Sequence, residues 1–431
     1  MLINFEVNNF LSFNKKNEFS MEPGENLRKY PNNVRAISVG TKKKDAVRLL
    51  KNTVIFGENG AGKSNLLSAL RMMRNIVTNI LPRVTDKLQQ PAFELDSNSR
   101  STTFSVEIVQ NGERYKYSFE YTTSSIINEQ LDFYEDSKFK NYFRRSNTNN
   151  YKTPKHLEAF TEETRKNVLF LQTAQSKNDA KAAAVFEWFE DSLIFFDEDS
   201  SKKLYSFLDN NHNKKLFLNF MKLADQNMID VVIEDSIQKP PAEMIEAFET
   251  LESITKGAFK FEIPREHVTK ELYTIYRKYD SNGERSGEAK IPLKLESTGT
   301  RKLIAIVLNV LSYHNSNKVI LMDEFDDSLH EQLSEALIKI FNSKANNNQF
   351  IVTSHELTLM DAGLRKDQIY FIQKNFAGES QIFSVFDFND TSKNRGDFKY
   401  YRRYMKGMFG AIPNIDANSF LSLLEEGNSN G

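Results

Sequence analysis

The chain has 431 residues, which is enough for two or three domains, and its 39% hydrophobic content with 34 Phe and 16 Tyr indicates an ordered globular protein. It contains no cysteine, which excludes disulfides, thiolate catalysis and cysteine-based zinc sites and favours the reducing cytoplasm. Its formal net charge of −1 provides no overall attraction for nucleic acid, so any such contact must come from local patches.

Residues 1–135 are predicted to form mainly β-strands. The first six residues, Met1–Glu6, alternate as a strand does and lack the basic region and apolar core of a signal peptide. Asn111-Gly112 predicts a tight hairpin between the alternating segments Phe104–Val109 and Tyr115–Tyr121. No apolar run has the length of a membrane span, so we expect a cytoplasmic protein without a membrane segment.

The most specific motif is the stretch Gly57–Ser64, which matches the phosphate-loop pattern G-x-x-x-x-G-K-[ST] at every fixed position. An apolar run precedes it and a helical pattern follows it, as the motif requires. The glycines let successive backbone N–H groups turn towards an anion, while Lys63 can reach the β- and γ-phosphates and the Ser64 hydroxyl can ligate Mg²⁺. The sequence therefore predicts a nucleoside triphosphate site, with these candidate contacts: Gly57, Asn59, Gly60, Gly62, Lys63, Ser64 and Asn65.

Residues 136–255 are predicted to be a mostly helical insertion. The apolar residues of Ala180–Phe196 recur with helical spacing and give that segment a broad apolar face. Three shorter helical segments and then two strands follow along the chain, at 203–208, 216–224, 242–254, 259–263 and 271–279. We therefore expect residues 1–135 and 256–431 to build one nucleotide-binding head around the insertion.

A second candidate anion site precedes the helical segment Leu303–Leu311. Ser297, Gly299 and Thr300 stand just before that helix, and the N-terminus of a helix carries partial positive charge. These three residues are therefore candidates for phosphate contact.

Two apolar strands near the C-terminus end in residues that suit phosphate chemistry. Val319–Met322 is followed by Asp323, which suits Mg²⁺, and by Glu324, which suits the activation of a water for attack on the γ-phosphate. The strand Phe350–Thr353 leads to His355, at the edge where a γ-phosphate would lie. Because the chain has two phosphate loops and one such acidic pair, we expect two copies to pair head to tail. Each nucleotide would then lie between the first loop of one copy and the second loop of the other.

Together these motifs resemble those of the ABC-type ATPase superfamily, in its soluble SMC/Rad50/RecF-like branch. The spacings of 26 residues from Ser297 to Asp323 and of 31 residues from Glu324 to His355 are close to those of the superfamily. The resemblance implies an α/β fold, namely an ABC-type P-loop ATPase head with a mixed or parallel sheet, an antiparallel β lobe and the helical insertion. It also implies ATP and Mg²⁺ as cofactors. No motif of the chain selects the base, so ATP in particular is expected from the resemblance alone.

The same resemblance implies individual roles. Ser297–Thr300 would be a divergent signature motif that acts in trans, Asp326–Leu329 the D-loop, and His355 the switch histidine. Gln89 or Gln90 is the best candidate for the Q-loop glutamine, and an ordinary exposed loop glutamine is the alternative.

Two phrases, Glu296–Thr300 and Gly407–Pro413, resemble bacterial ATPases of abortive-infection and anti-phage defence systems, of the AbiL/RloA type and more distantly the Septu, PARIS and OLD ATPases. OLD proteins carry a nuclease domain after the ATPase, and we expect no such domain in the 76 residues after His355. The resemblance therefore implies a slow, regulatory ATPase that forms a homodimer or higher oligomer and controls a separate effector chain, a nuclease or toxin. Two alternatives stay open: a RecF/SMC-like ATPase of DNA repair or recombination that binds DNA, and a scaffold in which ATP only holds an oligomer together.

Three basic segments, two of them interleaved with aromatic residues, are candidates for contact with DNA or RNA: Lys399–Lys406, Lys138–Arg145 and Lys42–Lys44. The alternative for any one segment is a solvated face whose aromatic residues pack on the head, and we favour that alternative.

Overall fold

The computed structural model describes residues 1–40, 46–96, 100–222, 227–238, 267–388 and 399–410. The strands of this part are β1 (Leu2–Asn8), β2 (Asn17–Ser20), β3 (Val34–Ile37), β4 (Val47–Leu50), β5 (Asn52–Phe56), β6 (Thr102–Gln110), β7 (Glu113–Tyr121), β8 (Ile126–Glu135), β9 (Lys138–Ser146), β10 (Asn150–Lys152), β11 (Leu193–Phe195), β12 (Met228–Gln238), β13 (His267–Tyr279), β14 (Arg285–Pro292), β15 (Val319–Met322), β16 (Gln349–Thr353), β17 (Ile369–Lys374) and β18 (Ser380–Ser384). Its α-helices are α1 (Lys63–Thr78), α2 (Phe170–Ser176), α3 (Ala180–Glu187), α4 (Asn211–Met221), α5 (Thr298–Ser312), α6 (Glu331–Phe341) and α7 (Tyr400–Tyr404).

The chain divides into two compact units, Met1–Phe195 with His314–Gly431, and Phe196–Tyr313. Five predicted features lie wholly or partly outside the described residues: the end of the helix 216–224, the helix 242–254, the strand 259–263, the cluster Lys42–Lys44 and the end of the phrase Gly407–Pro413. No helix in the described ranges is both long and apolar enough to cross a membrane.

The first unit contains a six-stranded sheet of order β11-β15-β16-β5-β17-β18. Neighbouring strands are parallel except for β17 and β18, which are antiparallel. Every residue of β5, β15 and β16 is buried, as is typical of parallel strands covered on both faces. The register pairs Val352 of β16 with Met322 of β15 and with Val54 of β5, so the residues that follow these three strands meet at one edge of the sheet.

The first unit also contains an antiparallel seven-stranded sheet of order β10-β9-β8-β7-β6-β1-β2. Alternate residues of β7 are buried, because successive side chains of a strand point to opposite faces. The rings of Phe119 and Tyr121 lie 5.8 and 6.0 Å from that of Phe104 and form part of the core. A sheet of mainly parallel strands together with an antiparallel lobe confirms the predicted α/β fold class.

The chain does not leave the antiparallel sheet at residue 135, where we expected the helical insertion to begin. Asp136 and Ser137 have φ values of 51° and 63° and form a two-residue hairpin turn between β8 and β9. Strand β10 then pairs with β9, so sheet continues to Lys152 before the helices α2 and α3. The division of the whole chain into three domain segments stays a prediction.

The single helix predicted over Ala180–Phe196 is wrong at its C-terminal end. Helix α3 ends at Glu187, a π-helical turn spans Trp188–Ser192, and the last residues form β11. Strand β11 pairs with β15 in parallel, from Leu193 with Val319 onwards. A short apolar run fits a helix and a buried strand equally well, and the hydrogen bonds to a distant strand decide between them.

The second unit contains the antiparallel sheet β12-β13-β14. The predicted strand 271–279 lies within β13, and the predicted helical segment 203–208 corresponds to a 3₁₀ segment, Ser200–Asp209. The described part of the predicted segment 216–224 overlaps the end of α4. Helix α5 begins at Thr298, earlier than predicted, with Ser297 as its N-cap residue. The apolar face of α5 and residues of the other elements form a second buried core. It includes Tyr205, Leu208, Phe217, Met221, Leu272, Ile304 and Leu308.

Candidate nucleotide-binding site

The phosphate loop joins β5 to α1, and its lysine folds back over it. The Lys63 ammonium donates hydrogen bonds to the carbonyl oxygens of Gly57 and Glu58, at 2.8 and 3.1 Å. Burial lowers the pKa of Lys63, and the carboxylates of Glu324, Asp323 and Asp326 oppose that shift. The ammonium is thus held at the loop, next to the acids of the sheet edge, by bonds that phosphate oxygens can replace.

Two glycines of the loop are required by close contacts. A Cβ on Gly57 would overlap the carbonyl oxygen of Ile372. A Cβ on Gly62 would lie 2.5 Å from the Ser380 hydroxyl and 2.7 Å from the Ser12 hydroxyl, and Gly62 also has a φ of +111°. Gly60 differs, because a Cβ there would meet nothing within 4 Å. The loop therefore packs tightly on one side and faces open space on the other, as a phosphate cradle must.

Hydroxyl groups support the loop from beneath. Ser12 follows β1 and accepts a hydrogen bond from the Asn65 amide at 2.7 Å. The Ser380 hydroxyl lies 2.7 Å from that of Ser12 and 2.5 Å from the carbonyl oxygen of Ala61. Sequence reasoning missed Ser380, which lies 319 residues beyond Ala61, and no motif marks it.

The two acids after β15 are held by a residue at the end of β16. The Thr353 hydroxyl donates to Asp323 at 2.5 Å and accepts from the backbone N–H of Glu324 at 2.7 Å. Thr353 is fully buried, while Glu324 has a φ of +46°, in the left-handed region. Sequence reasoning missed Thr353 as well. Its position at the end of β16, beside the acids that follow β15, becomes evident only from the strand register.

His355 lies beside Glu324, with 3.3 Å between Nε2 and Oε1. The side chains are 41% and 53% exposed, respectively. Next to them, Asp326 accepts hydrogen bonds from the Ser354 hydroxyl at 2.8 Å and from the backbone N–H of Glu356 at 3.1 Å. The segment after β16 therefore fixes the loop that follows β15.

Part of this site lines a cavity of about 660 Å³, and all of its lining residues belong to the first unit: Asn59, Gly60, Gly62, Lys63, Ser64, Asn65, Glu324, Asp327 and His355. Among the residues that the structure describes, no three His, Cys, Asp or Glu side chains gather as a metal site. Mg²⁺ commonly takes one or two protein oxygens and completes its shell with phosphates and water. The hydroxyl of Ser64 and the carboxylate of Asp323 fit that donor set, and the loop with Lys63 fits the phosphates.

The second predicted phosphate loop lies in the other unit. The Ser297 hydroxyl caps α5 by accepting a hydrogen bond from the N–H of Thr300 at 3.1 Å, and the two hydroxyls are 2.9 Å apart. Ser297 is exposed, and Gly299 and Thr300 are half-buried. The residues stand at a helix N-terminus, as predicted.

Two of the three basic segments are less available for nucleic acid than their sequences indicate, and the third, Lys42–Lys44, lies outside the described residues. Arg145 is 1% exposed and donates to the carbonyl oxygens of Thr148 and Val168, while Lys140 pairs with Glu135. In the segment Lys399–Lys406, Tyr400 and Tyr404 are buried, and Tyr404 stacks on Phe371.

The side-chain amide of Gln90 is engaged by two backbone groups. It donates to the carbonyl oxygen of Arg100 and accepts from the N–H of Thr123. Neither Gln90 nor Gln89 is among the residues that line the phosphate-loop cavity.

A family model described as "AAA domain, putative AbiEii toxin, Type IV TA system" matches residues 53–361, which is more than half of the chain. The chain belongs to this family. The matched range includes the phosphate loop, the acids after β15 and His355. No curated protein matches the sequence.

Several solved structures are similar to this chain. The SMC head domain from Thermotoga maritima is 14% identical with a TM-score of 0.40, and the alignment covers 89% of this chain and 98% of that one. An SMC head bound to the C-terminal winged-helix domain of ScpA is 12% identical with a TM-score of 0.45, covering 89% and 97%. An SMC head from Pyrococcus furiosus, with an extended coiled coil and bound to the C-terminal domain of ScpA, is 12% identical with a TM-score of 0.40, covering 89% and 96%.

Proposed function

We propose that this chain is an ATP-dependent switch subunit, which binds ATP with Mg²⁺, hydrolyses it slowly and pairs with a second copy of itself. The observation that carries the proposal is the convergence of Lys63, Ser64, Glu324 and His355 on one cavity at the edge of a parallel sheet. This set of functional groups suits phosphoryl transfer. It comprises a cation, a hydroxyl, a carboxylate and an imidazole around a loop of backbone N–H groups.

The surroundings of each residue support a role. Lys63 would exchange its bonds to the loop carbonyls for bonds to the β- and γ-phosphates. Ser64 and Asp323 would hold Mg²⁺, which when bound neutralises charge on the phosphates. Glu324 would orient the attacking water, and His355, at 3.3 Å from it, would contact the γ-phosphate.

Exposure of the reacting groups supports a site that a second copy completes. Glu324 and His355 are 53% and 41% exposed, whereas phosphoryl transfer is favoured where bulk water is excluded. The cap of α5 offers an exposed hydroxyl and a helix N-terminus, a combination that binds phosphate. In this proposal Ser297, Gly299 and Thr300 of one copy contact the γ-phosphate held by the other.

The test combines a variant that blocks turnover with one that blocks pairing. Glu324→Gln is expected to keep ATP bound and to lower hydrolysis about a hundredfold, because the group that orients water is lost. In size-exclusion chromatography with Mg²⁺ and ATP, this variant should elute as a dimer. Adding Ser297→Arg should return it to a monomer that still binds ATP.

Matched controls separate these effects from general damage. Glu331→Gln, an exposed acid on α6, should hydrolyse ATP at the parental rate. Ser316→Arg, an exposed serine outside α5, should leave the Glu324→Gln dimer intact. Parental turnover in Glu324→Gln would overturn the role of Glu324, and a dimer that survives Ser297→Arg would overturn pairing through the Ser297 loop.

Within a cell, the proposed task of this switch is to control a separate effector, a nuclease or toxin, in an anti-phage defence complex. The family description, which names a toxin of a toxin–antitoxin system, supports that setting. The Glu324→Gln chain, loaded with ATP, should co-purify with the product of a neighbouring gene, and Lys63→Ala should abolish both this association and protection against phage. DNA-stimulated hydrolysis without such a partner would instead favour the repair or recombination alternative.

A further inference from the structure

The second unit contains a cavity of about 530 Å³ that no role assigned so far uses. Its walls come from four places: the segment Glu198–Tyr205, the start of β13, the end of β14 with the turn after it, and α5. Pockets of a few hundred Å³ are the usual size for small organic ligands.

The floor of this cavity is apolar and well buried. Leu272, Ile304 and Leu308 are at most 2% exposed, and Ala305 is 3% exposed. Such side chains favour an apolar ligand surface, because contact with it removes both surfaces from water.

One hydroxyl group in the lining has no hydrogen-bond partner among the described residues. Tyr205 lines the cavity and is 3% exposed, yet no described group makes a hydrogen bond with its hydroxyl. Burial, together with the carboxylate of Asp199, raises the pKa of Tyr205 to about 12, so the hydroxyl stays protonated at neutral pH. It is therefore able to donate a hydrogen bond to a ligand.

Cations outnumber acids around the cavity. Lys202 pairs with Asp199 at 2.8 Å, and Arg301 lies 3.8 Å from Glu198. Lys294 makes no ion pair with any residue that the structure describes. The lining also includes Lys270, which reaches a carboxylate only at 4.0 Å, and Glu271, which accepts a hydrogen bond from the Tyr273 hydroxyl.

We propose that this cavity binds an amphipathic anion, whose apolar body covers Leu272, Ile304 and Leu308 and whose acidic group lies among the lining cations. The ligand would press on α5, the helix that carries Ser297 at its N-terminus, about two turns before Ile304. A ligand that binds the single and the paired chain with different affinity shifts the equilibrium between them. This regulatory part rests on the proposed function, while the binding site itself does not.

The binding test uses 8-anilinonaphthalene-1-sulfonate, which has an aromatic body and one anionic group, with the full chain. Its fluorescence should rise on binding, and decanoate should displace it at least ten times more effectively than decanol, which lacks the charge. Tyr205→Phe and Lys294→Gln should each weaken displacement by decanoate about tenfold, because each removes a polar contact to the acidic group. Ala305→Trp should abolish binding by filling the cavity.

Two conservative variants serve as controls. Lys203→Gln changes an exposed lysine of the 3₁₀ segment Ser200–Asp209, and Tyr279→Phe changes an exposed tyrosine of β13, and neither residue lines the cavity. Both should bind as the parent does. Parental affinity in both Ala305→Trp and Lys294→Gln would overturn the site, and equal displacement by decanol would overturn the anionic part.

The regulatory part has its own readout. Saturating decanoate should shift the ATP concentration for half-maximal self-association by at least threefold in the parent and leave it unchanged in Lys294→Gln. Binding without any shift would overturn the regulation but not the site. If ATP never promotes self-association, the proposed function fails, and the fluorescence experiment still decides whether the cavity binds its ligand.

Discussion

At Gly62, two distant parts of the chain pack against the phosphate loop. Gly62 precedes α1, while Ser12 follows β1 and Ser380 begins β18. The hydroxyls of both serines lie where a side chain on Gly62 would have to be. The loop is therefore positioned by packing on buried hydroxyls as well as by its own glycines.

Gly62→Ala is expected to weaken nucleotide binding about tenfold or more. The added Cβ would crowd both hydroxyls and would also occupy a φ of +111°, which together cost about 2–4 kcal/mol of folding free energy at the loop. Titration with a fluorescent ATP analogue measures the affinity, and urea unfolding measures the stability. Gly283→Ala is the control, because φ there is +81° but a Cβ meets nothing within 4 Å. Equal affinities in the two variants would show that the crowding is unimportant.

The site residues that the sequence predicts and those that it does not predict differ in what determines their position in the site. Lys63, Ser64 and His355 stand at set distances from motifs or strand ends, and the structure brings them to one cavity. Thr353 and Ser380 act through hydrogen bonds whose partners depend on strand register and on the packing of β18 beside the phosphate loop. No local pattern encodes those two relations, so residue spacing alone was unable to reveal them.

At the scale of elements, the secondary structure of short segments is determined by pairing with distant parts of the chain. Periodicity predicts a helix for the residues of β11, since three apolar residues fit either pattern, and hydrogen bonding to β15 makes them a strand instead. Long alternating segments behaved differently: β6 and β7 form the predicted hairpin, with Gln110 opposite Glu113. Periodicity thus predicted the elements that are long enough for the alternation of their own residues to identify them.

The start of α2 is tied to the antiparallel sheet by one buried acid. Glu129 of β8 accepts hydrogen bonds from the backbone N–H groups of Phe170 and Leu171, at 2.7 and 2.8 Å, and from the Tyr117 hydroxyl at 2.9 Å. Burial raises the pKa of Glu129, and nearby Arg145 and these three donors oppose the shift. The carboxylate therefore fixes a helix N-terminus, a strand and a buried cation together.

Glu129→Gln is expected to lower the free energy of unfolding by about 2–4 kcal/mol. The amide has a single acceptor oxygen, so at least one of the three donors would face an N–H group, and Arg145 would lose its acidic neighbour. Urea unfolding monitored by circular dichroism measures the change. The control is Glu135→Gln at the exposed end of the same strand, which should cost less than about 0.5 kcal/mol. A similar loss in both variants would refute the role of the buried acid.

On the scale of the whole molecule, the candidate site depends on contacts between remote parts of the chain. The first unit combines residues before 196 with residues after 313, and both sets contribute strands to the parallel sheet. Gln349, the first residue of β16, joins that sheet to β1. Its side chain accepts from the N–H of Leu2 at 2.7 Å and donates to the carbonyl oxygens of Leu2 and Leu50, at 2.9 and 3.3 Å.

Gln349→Leu should therefore reduce both stability and catalysis. The substitution keeps the approximate size of a fully buried side chain but leaves three backbone polar groups without their partner, at a cost of about 3 kcal/mol or more. Because β16 ends at Thr353, which holds Asp323 and the N–H of Glu324, a shift of this strand should also slow ATP hydrolysis. Urea unfolding and a phosphate-release assay measure the two effects. Gln381→Leu, an exposed position on β18, should change neither, and parental behaviour of Gln349→Leu would mean that the two sheets hold together without this amide.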